Sequence, residues 1–224
     1  MSLAVGPAGE RSDAVADASP PAAEPRKRQL RMLRPHLDDL PALAIPDGYG
    51  LRTFRPGDER AWASIMEASS GIGREWTVEK VRERMIEREQ FEPEGLFFVT
   101  CDDQSDRPVA SATAWRKDAA EQVMGNVHMV CALDDHRGKG LGRLASLAVL
   151  HYLRRRGFRA ADLSTDDWRV PAIRTYLGLG FVPVYLTDAE RVDDHEARWS
   201  AIFTQLLTPA PAASGQKPNP GASR

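Results

Sequence analysis

Apolar residues along the middle of the chain recur at two spacings, and each spacing predicts one kind of element. Alternation of apolar and polar positions, or short apolar runs bounded by turn residues, predicts six strands. The predicted strands cover 49–55, 96–101, 108–115, 127–133, 160–165 and 181–186. The run from Val127 to Leu133 is almost wholly apolar, which is typical of a strand covered on both faces.

Apolar residues at helical spacing predict five helices between and after these strands. The predicted helices cover 58–68, 77–89, 140–155, 170–179 and 196–207. Thr77 is a suitable N-cap for the second helix, because its hydroxyl can accept a hydrogen bond from a backbone N–H of the first turn. The succession of strand, helix and strand from residue 127 onward predicts parallel pairing within an α/β sheet.

The two ends of the chain lack this periodicity. Residues 1–28 and 209–224 are rich in Ala, Pro, Gly and Ser, so we expect both to be disordered tails. Residues 29–47 form a lead-in segment interrupted by prolines, and residues 48–208 form the single folded domain. Five basic residues lie at the start of this region, namely Arg26, Lys27, Arg28, Arg31 and Arg34. We interpret them as part of a solvated linker, with a nucleic-acid patch as the alternative.

Charge and composition exclude several classes of function. The 224 residues include 30 Lys and Arg against 32 Asp and Glu, a net charge of -2, so nothing draws the whole protein to nucleic acid or anionic membranes. No signal peptide and no apolar stretch of about 18 residues is found, and we expect a cytoplasmic protein without a membrane partner. The five histidines show no metal-ligand spacing, so no metal site is predicted. Cys101 and Cys131 each lie in a predicted strand and are expected to be small core residues.

The strongest chemical signal follows the strand 127–133, where a glycine-rich turn opens the helix 140–155. Glycines at 138, 140 and 142 permit positive φ angles and close approach of the backbone to a ligand. Free N–H groups at the helix start, the helix dipole and the charges of Arg137, Lys139 and Arg143 would together hold an anion such as a pyrophosphate. The spacing fits neither the dinucleotide fingerprint nor the P-loop, and a purely structural turn is the alternative.

Two motifs in this order resemble the GNAT superfamily of acetyl-CoA-dependent N-acetyltransferases. The turn from Arg137 to Gly142 resembles its acyl-CoA pyrophosphate loop, R/Q-x-x-G-x-G/A. The segment from Ala172 to Phe181 resembles its second motif, A-I-x-x-Y-x-x-x-G-F. The resemblance covers about residues 48–186 and is highly specific because both motifs occur together with the family's spacing.

The resemblance implies a GNAT-like mixed, splayed central sheet flanked by helices, with acetyl-CoA as co-substrate between the strands 127–133 and 160–165. Backbone amides of Val130 and Ala132 would pair with the pantetheine arm, and those of residues 138–143 would hold the pyrophosphate. Tyr176 would protonate the departing thiolate. The implied cofactor-binding residues are Val130, Ala132, Arg137, Gly138, Lys139, Gly140, Leu141, Gly142, Arg143 and Arg169.

The chain departs from the family pattern at two places. Arg169 stands where the family often has an asparagine, and it either contacts the phosphates of the cofactor or is a surface charge. The last predicted element is the helix 196–207, whereas the common pattern has a final strand there. This second departure leaves the acceptor side of the cleft undefined.

A base is needed because the attacking amine must lose a proton. His128 is the one titratable group in the apolar strand, and by alternation it shares a face with Asn126 and Val130. Some family members that acetylate arylalkylamines are similar in carrying a histidine here, so His128 is a candidate base, with a core histidine as the alternative. His136 is interpreted as an exposed turn residue.

The acceptor is expected near the loop 69–76, with Glu67 and Glu75 attracting a cationic amine and Trp76 and Trp115 flanking it, although each residue also fits a structural role. The sequence therefore predicts an acyltransferase that moves an acetyl group from acetyl-CoA to a small-molecule or aminoacyl amine by direct attack. The alternative is a catalytically silent acyl-CoA-binding sensor. A homodimer is compatible with either function, and no nucleic-acid partner is expected.

Overall fold

The structure is a computed structural model that describes residues 28–69, 75–102, 106–185 and 195–208. The strands are β1 (Leu30–Arg34), β2 (Tyr49–Thr53), β3 (Leu96–Cys101), β4 (Arg107–Trp115), β5 (Met124–Ala132), β6 (Ala160–Thr165) and β7 (Val182–Val184). The helices are α1 (Glu59–Ala68), α2 (Val78–Val81), α3 (Leu141–Arg155), α4 (Val170–Gly178) and α5 (His195–Leu207). The tails predicted as disordered fall outside the described residues, apart from Arg28, and so does the middle of the predicted acceptor loop.

Seven strands form one mixed sheet in the order β2-β3-β4-β5-β6-β1-β7. Neighbouring strands from β2 to β5 are antiparallel, and β1 is antiparallel to both β6 and β7. The pair β5 and β6 is parallel, with α3 as the crossover helix between them. The parallel pairing predicted from the sequence is therefore confirmed.

Side chains that alternate along β3 fill two cores on opposite faces of the sheet. Leu96 and Phe98 pack in a cluster with residues of α1 and α2, whereas Phe97 and Val99 pack in a cluster with residues of α3. Successive side chains of a strand point to opposite faces, so helices must cover both sides of the sheet. Within the described ranges, no helix has the combined length and apolar character that a bilayer crossing requires.

The strand β1 was not predicted from the sequence, and its position corrects the interpretation of the lead-in segment. Leu30 and Met32 are fully buried in the core. Arg31 binds the buried carboxylate of Asp162 at 2.5 Å, and Arg34 is only 5 % exposed. The interpretation of these two arginines as linker residues is therefore wrong. A strand of five residues with two arginines has too weak an apolar pattern to be found locally.

The second predicted helix begins as expected but ends early. Thr77 is the N-cap, and its hydroxyl accepts a hydrogen bond from the Lys80 N–H at 3.3 Å. After Val81 the helix widens into a π-helical turn, Arg82–Ile86, in which the Glu87 N–H donates to the Arg82 carbonyl at 2.9 Å. Residues 87–90 thereby leave the helix and line a cavity described below.

Candidate active site

A wedge-shaped cleft opens where β5 and β6 separate. The two strands are paired only from Met124 and Ala160 to Asn126 and Asp162. Beyond this point β5 contains a bulge, seen as a shift of its register with β4, and Met129 adopts a φ of 50°. A bulge bends its strand and increases the local twist. The second half of β5 therefore has β4 on one edge and the cleft on the other.

Backbone amides of β5 point into this cleft. The Leu133 N–H donates to the Val109 carbonyl of the β4 side at 2.9 Å. Because N–H directions alternate along a strand, the amides of Ala132 and of Val130 point to the opposite edge, toward β6. These are the two amides that the sequence analysis assigned to the pantetheine arm.

The turn at the end of β5 presents a row of backbone donors. Gly138 and Gly140 have φ angles of 76° and 77°, and Gly140 is the N-cap of α3. The backbone N–H groups of residues 138–143 make no hydrogen bond to any other described residue. A Cβ built on either glycine meets no atom within 4 Å, so glycine is needed here for its backbone angle and not for space. An oxygen-rich anion fits such a turn.

The cations of the turn differ in their contacts. Arg137 forms an exposed ion pair with Asp134 at 2.7 Å and donates to the Ala68 carbonyl at 3.3 Å. The Lys139 ammonium lies 5.9 Å from the centre of the Tyr49 ring, and the Tyr49 hydroxyl raises the pKa of Lys139. Arg143 is exposed in the first turn of α3. All three cationic residues therefore belong to, or directly precede, the segment with the free N–H groups.

His136 is buried at 8 % exposure, and its interpretation as an exposed turn residue is wrong. Its Nδ1 lies 3.0 Å from the Tyr49 hydroxyl, and the two rings meet edge to face at 5.8 Å. Asp134 to His136 form a short 3-10 helix that turns the imidazole inward. The pair of Tyr49 and His136 thus fixes the base of the glycine turn to β2, a role that local sequence does not reveal.

Tyr176 lies on α4 and is 7 % exposed. Its ring meets Phe181 edge to face with 6.0 Å between the ring centres. Burial raises the pKa of the phenol, and the positive charge of Arg169 acts in the opposite direction. The phenol is therefore protonated at neutral pH, which is the state that a proton donor requires.

The thiol of Cys131 lies close enough to this phenol for the two groups to influence each other electrostatically. Burial raises the pKa of Cys131 to about 12, while the hydroxyls of Ser69 and Ser111 and the charge of Arg169 lower it. The thiol is therefore neutral and behaves as a core group, as predicted. Tyr176 itself packs in the same hydrophobic cluster as Val130 and Ala132 of β5, whose backbone amides point into the cleft.

His128 lies in the first part of β5, before the bulge, and is half-buried. Its ring lies 5.7 Å from that of Trp115, and both rings line a cavity of about 680 Å³. Burial lowers the pKa of His128 to about 4, so the imidazole is neutral at pH 7. Val130, in contrast, packs toward Gly142 of α3. The expectation that His128 and Val130 share a face is wrong, because the bulge at Met129 breaks the alternation.

Comparison with known proteins gives this site a family. Residues 62–181 match the acetyltransferase (GNAT) family. The chain belongs to this family. Among solved structures, the GCN5-related N-acetyltransferase of Sphaerobacter thermophilus superposes with a TM-score of 0.59 at 26% identity, over 70% of this chain and 50% of that one. Acetyl-CoA is the acetyl donor of GNAT acetyltransferases, so the predicted co-substrate agrees with the family.

Curated relatives at higher identity are mycothiol acetyltransferases. That of Thermomonospora curvata is 38% identical over 157 residues, which are 68% of this chain and 50% of the relative. That of Nocardia farcinica is 35% identical over 167 residues, which are 71% of this chain and 54% of the relative. The chain thus spans about half the length of the curated relatives it matches.

Arg169, the departure from the GNAT pattern, lies at the start of α4. Its guanidinium pairs with Asp166 at 3.2 Å and stacks over the Trp168 ring at 4.8 Å. Its charge acts on both Tyr176 and Cys131. The side chain is 19% exposed, so it differs from a free surface charge. Contact with the cofactor remains a prediction.

The acceptor-side residues expected from the sequence are only partly brought together. Trp115 lies beside His128. Glu67 instead accepts a hydrogen bond from the Trp76 backbone N–H at 2.8 Å, and Glu75 is exposed with a φ of 65°. The cavity beside His128 and Trp115 is instead lined by charged residues that were not predicted from the sequence. The cavity is lined by Arg84, Met85, Glu87, Arg88, Glu89, Gln90, Trp115 and His128.

Proposed function

We propose that this GNAT chain transfers an acetyl group from acetyl-CoA to an amine by direct attack, with Tyr176 as general acid. One observation carries the proposal most strongly, namely that the wedge between β5 and β6 joins three features. The free amides of residues 138–143 lie at its outer end, and the β5 amides of Val130 and Ala132 line its side. Tyr176, whose phenol is kept protonated by burial, packs in the same cluster as these two β5 residues.

This arrangement suits an acyl-CoA. The turn 138–143 would bind the pyrophosphate through backbone N–H groups, with Arg137, Lys139 and Arg143 supplying charge. The amides of Val130 and Ala132 would pair with the pantetheine arm as an added strand pairs with a sheet edge. The thioester would then lie near Tyr176.

Reaction at the thioester requires one bond to form and one to break. An amine that arrives as an ammonium first loses one proton to solvent. Its neutral nitrogen then attacks the carbonyl carbon, and the C–N bond forms while charge develops on the carbonyl oxygen, where a strand amide can stabilise it. The C–S bond then breaks, and the departing thiolate takes the phenolic proton of Tyr176. The phenol regains its proton from solvent.

His128 is the proposed acceptor of the amine's proton. Its pKa of about 4 keeps the imidazole neutral and able to accept a proton throughout the neutral range. A weak base is sufficient at this step, because the nitrogen becomes far more acidic once it has bonded to the carbonyl carbon. His128 thus takes the proton that the nitrogen loses on bonding to the carbonyl carbon and passes it to solvent, and Tyr176 gives its proton to the sulfur as it leaves.

The cavity beside His128 is the proposed acceptor site. Glu87 and Glu89 line it together with Arg84 and Arg88, and the two carboxylates make no ion pair with any described residue, so they can contact a cationic amine. The Trp115 ring offers an apolar face next to the imidazole. A small-molecule or aminoacyl amine fits these features, and acceptors of the mycothiol acetyltransferases are the first candidates because of the relatives' identity.

The test is a panel of amines incubated with acetyl-CoA and the full chain, with release of free thiol as the measurement. We expect at least one acceptor to support thiol release above the rate without amine, and the acetylated amine to appear in equal amount. Tight binding of acetyl-CoA without turnover on any amine would contradict the proposed acetyl transfer and favour an acyl-CoA sensor. If acetyl-CoA does not bind at all, both the acetyltransferase and the sensor are contradicted.

A further inference from the structure

Arg34, at the end of β1, reaches the C-terminal end of the helix that carries Tyr176. Its side chain is buried, with 6% exposure, between the sheet and α4. One guanidinium nitrogen, Nη1, donates to the carbonyl oxygen of Leu179, and Nη2 donates to the carboxylate of Asp39 at 2.6 Å. The pairing of β1 with β6 and β7 places Arg34 at this point.

Gly180 leaves the space that the guanidinium occupies. It has a φ of 81°, and a Cβ built on it would overlap with Nη1 of Arg34. The same turn closes on Tyr176, because the N–H groups of Leu179 and Phe181 both donate to the Tyr176 carbonyl at 3.0 Å. The guanidinium, the glycine and the carbonyl of Tyr176 therefore belong to one helix cap.

A cation at this position opposes the partial negative charge at the C-terminal end of a helix. A buried hydrogen bond with a charged donor also contributes more than a neutral one, and its loss leaves the carbonyl without a partner. The Tyr176 ring rests on Phe181, which follows Gly180 directly. Movement of the cap would therefore displace both the backbone and the ring of Tyr176.

We propose that Arg34 is a positioning residue that holds the C-terminal turn of α4 and so sets the place of the Tyr176 phenol in the cleft. This inference rests on the proposed role of Tyr176 as general acid. It also assigns a part in the reaction geometry to β1, which precedes the residues 62–181 that match the family.

The first comparison uses Arg34→Met, which keeps an aliphatic side chain but removes the donors. Displacement of a reacting group by a fraction of an ångström is expected to lower kcat roughly tenfold. Acetyl-CoA affinity should stay within about twofold, because the variant does not touch the anion-binding turn. Leu30→Ala is the matched control, since Leu30 is a buried side chain of the same strand. It should lose thermal stability and yet keep its kcat at temperatures where it is folded.

The second comparison is a cycle with Tyr176→Phe. If Arg34 acts through the phenol, Arg34→Met should lower kcat in the wild type but cause no further loss in Tyr176→Phe. Arg34→Lys keeps one cation that cannot bridge Leu179 and Asp39, so its kcat should lie between wild type and Arg34→Met. Arg34→Lys also replaces Arg34→Met in the cycle with Tyr176→Phe if Arg34→Met does not fold.

Three results would overturn the inference, and they are distinguishable. Additive losses in the double variant, or an equal loss in Leu30→Ala, would show that Arg34 only stabilises the fold. Wild-type turnover in Tyr176→Phe would remove the general acid itself and, with it, the proposed mechanism on which this inference rests.

Discussion

The proposed donor site and the proposed acceptor site are built from different parts of the polypeptide. On the donor side, backbone N–H groups of residues 138–143 and of β5 face the cleft. On the acceptor side, side chains of the π-helical turn, β4 and β5 line a cavity. A backbone site needs only a strand, a turn and glycines in the right order, whereas a side-chain site depends on where separate elements meet. The donor side is therefore the part that a local sequence motif can reveal.

Tyr176→Phe should have the largest effect on turnover and tests the junction of the two sides. Loss of the phenolic proton should lower kcat about 10²-fold or more, while the ring keeps its contact with Phe181. Acetyl-CoA affinity, measured by calorimetry, should hold within a few-fold. Tyr185→Phe is the control, because Tyr185 is 49% exposed and lies outside the site. Equal kcat values for the two variants would remove Tyr176 from the chemistry.

Gly140→Val tests the donor side alone. Valine disfavours the φ of 77° at this position, so the N–H groups of the turn should no longer point at one phosphate, and acetyl-CoA binding should weaken about tenfold or more. Gly157→Val is the matched control at the other end of α3, since Gly157 also has a positive φ of 90° and no atom within 4 Å of a built Cβ. Both variants should lose similar stability from backbone strain, and only Gly140→Val should lose affinity. Equal acetyl-CoA affinity in the two variants would contradict the anion-binding role of the turn.

His128→Gln tests the proposed base on the acceptor side. We expect kcat to fall about tenfold, less than is usual for a general base, because a low pKa makes the imidazole a weak one. Acetyl-CoA affinity should be unchanged. A kcat equal to that of the wild type, measured with an identified acceptor, would assign His128 to the core.

The same variant makes a prediction about stability. In the unfolded chain the imidazole takes up a proton near pH 6.5, whereas burial lowers its folded pKa to about 4. The unfolded state therefore binds more protons between these values, and the wild type should lose free energy of unfolding as the pH falls from 6.5 toward 4. This contribution is complete above pH 6.5 and should be absent in His128→Gln. Urea unfolding at several pH values measures the difference, and parallel pH profiles would contradict it.

The smallest effect is expected at the rim of the acceptor cavity. Glu87→Gln combined with Glu89→Gln should raise the KM of a cationic amine a few-fold, because exposed charges contribute only about 0.2–1 kcal/mol each. Donor affinity and kcat should not change. Glu83→Gln is the control, since Glu83 is an exposed residue of the same turn that does not line the cavity. An equal rise of KM in the control would place the amine elsewhere.

Much of the fold follows from the sequence because its signals are local. Thr77 is the N-cap of α2 as predicted, and the apolar run of β5 lies between helices on both faces. The glycine turn opens α3 at Gly140 as expected. Each of these features depends on the backbone preferences of a few neighbouring residues.

The incorrect expectations share one cause, which is contact between residues far apart in the chain. Arg31 and Arg34 resemble linker residues until their partners Asp162 and Leu179 are known. His136 is buried because Tyr49 of β2 binds it. The face of His128 depends on a bulge at Met129, where strand alternation fails.

By itself, the sequence determined the order of elements from β2 onward and predicted the glycine turn 138–142 and Tyr176 as site features, because glycine angles, helix caps and apolar periods act over a few residues. The tertiary structure alone decided that β1 lies between β6 and β7, that Arg34 binds the end of α4, and that His128 opens into a cavity. These outcomes depend on charged and aromatic side chains that are buried against residues distant in the chain. The free-energy cost of removing these side chains from water is compensated only by contacts that exist in the assembled fold.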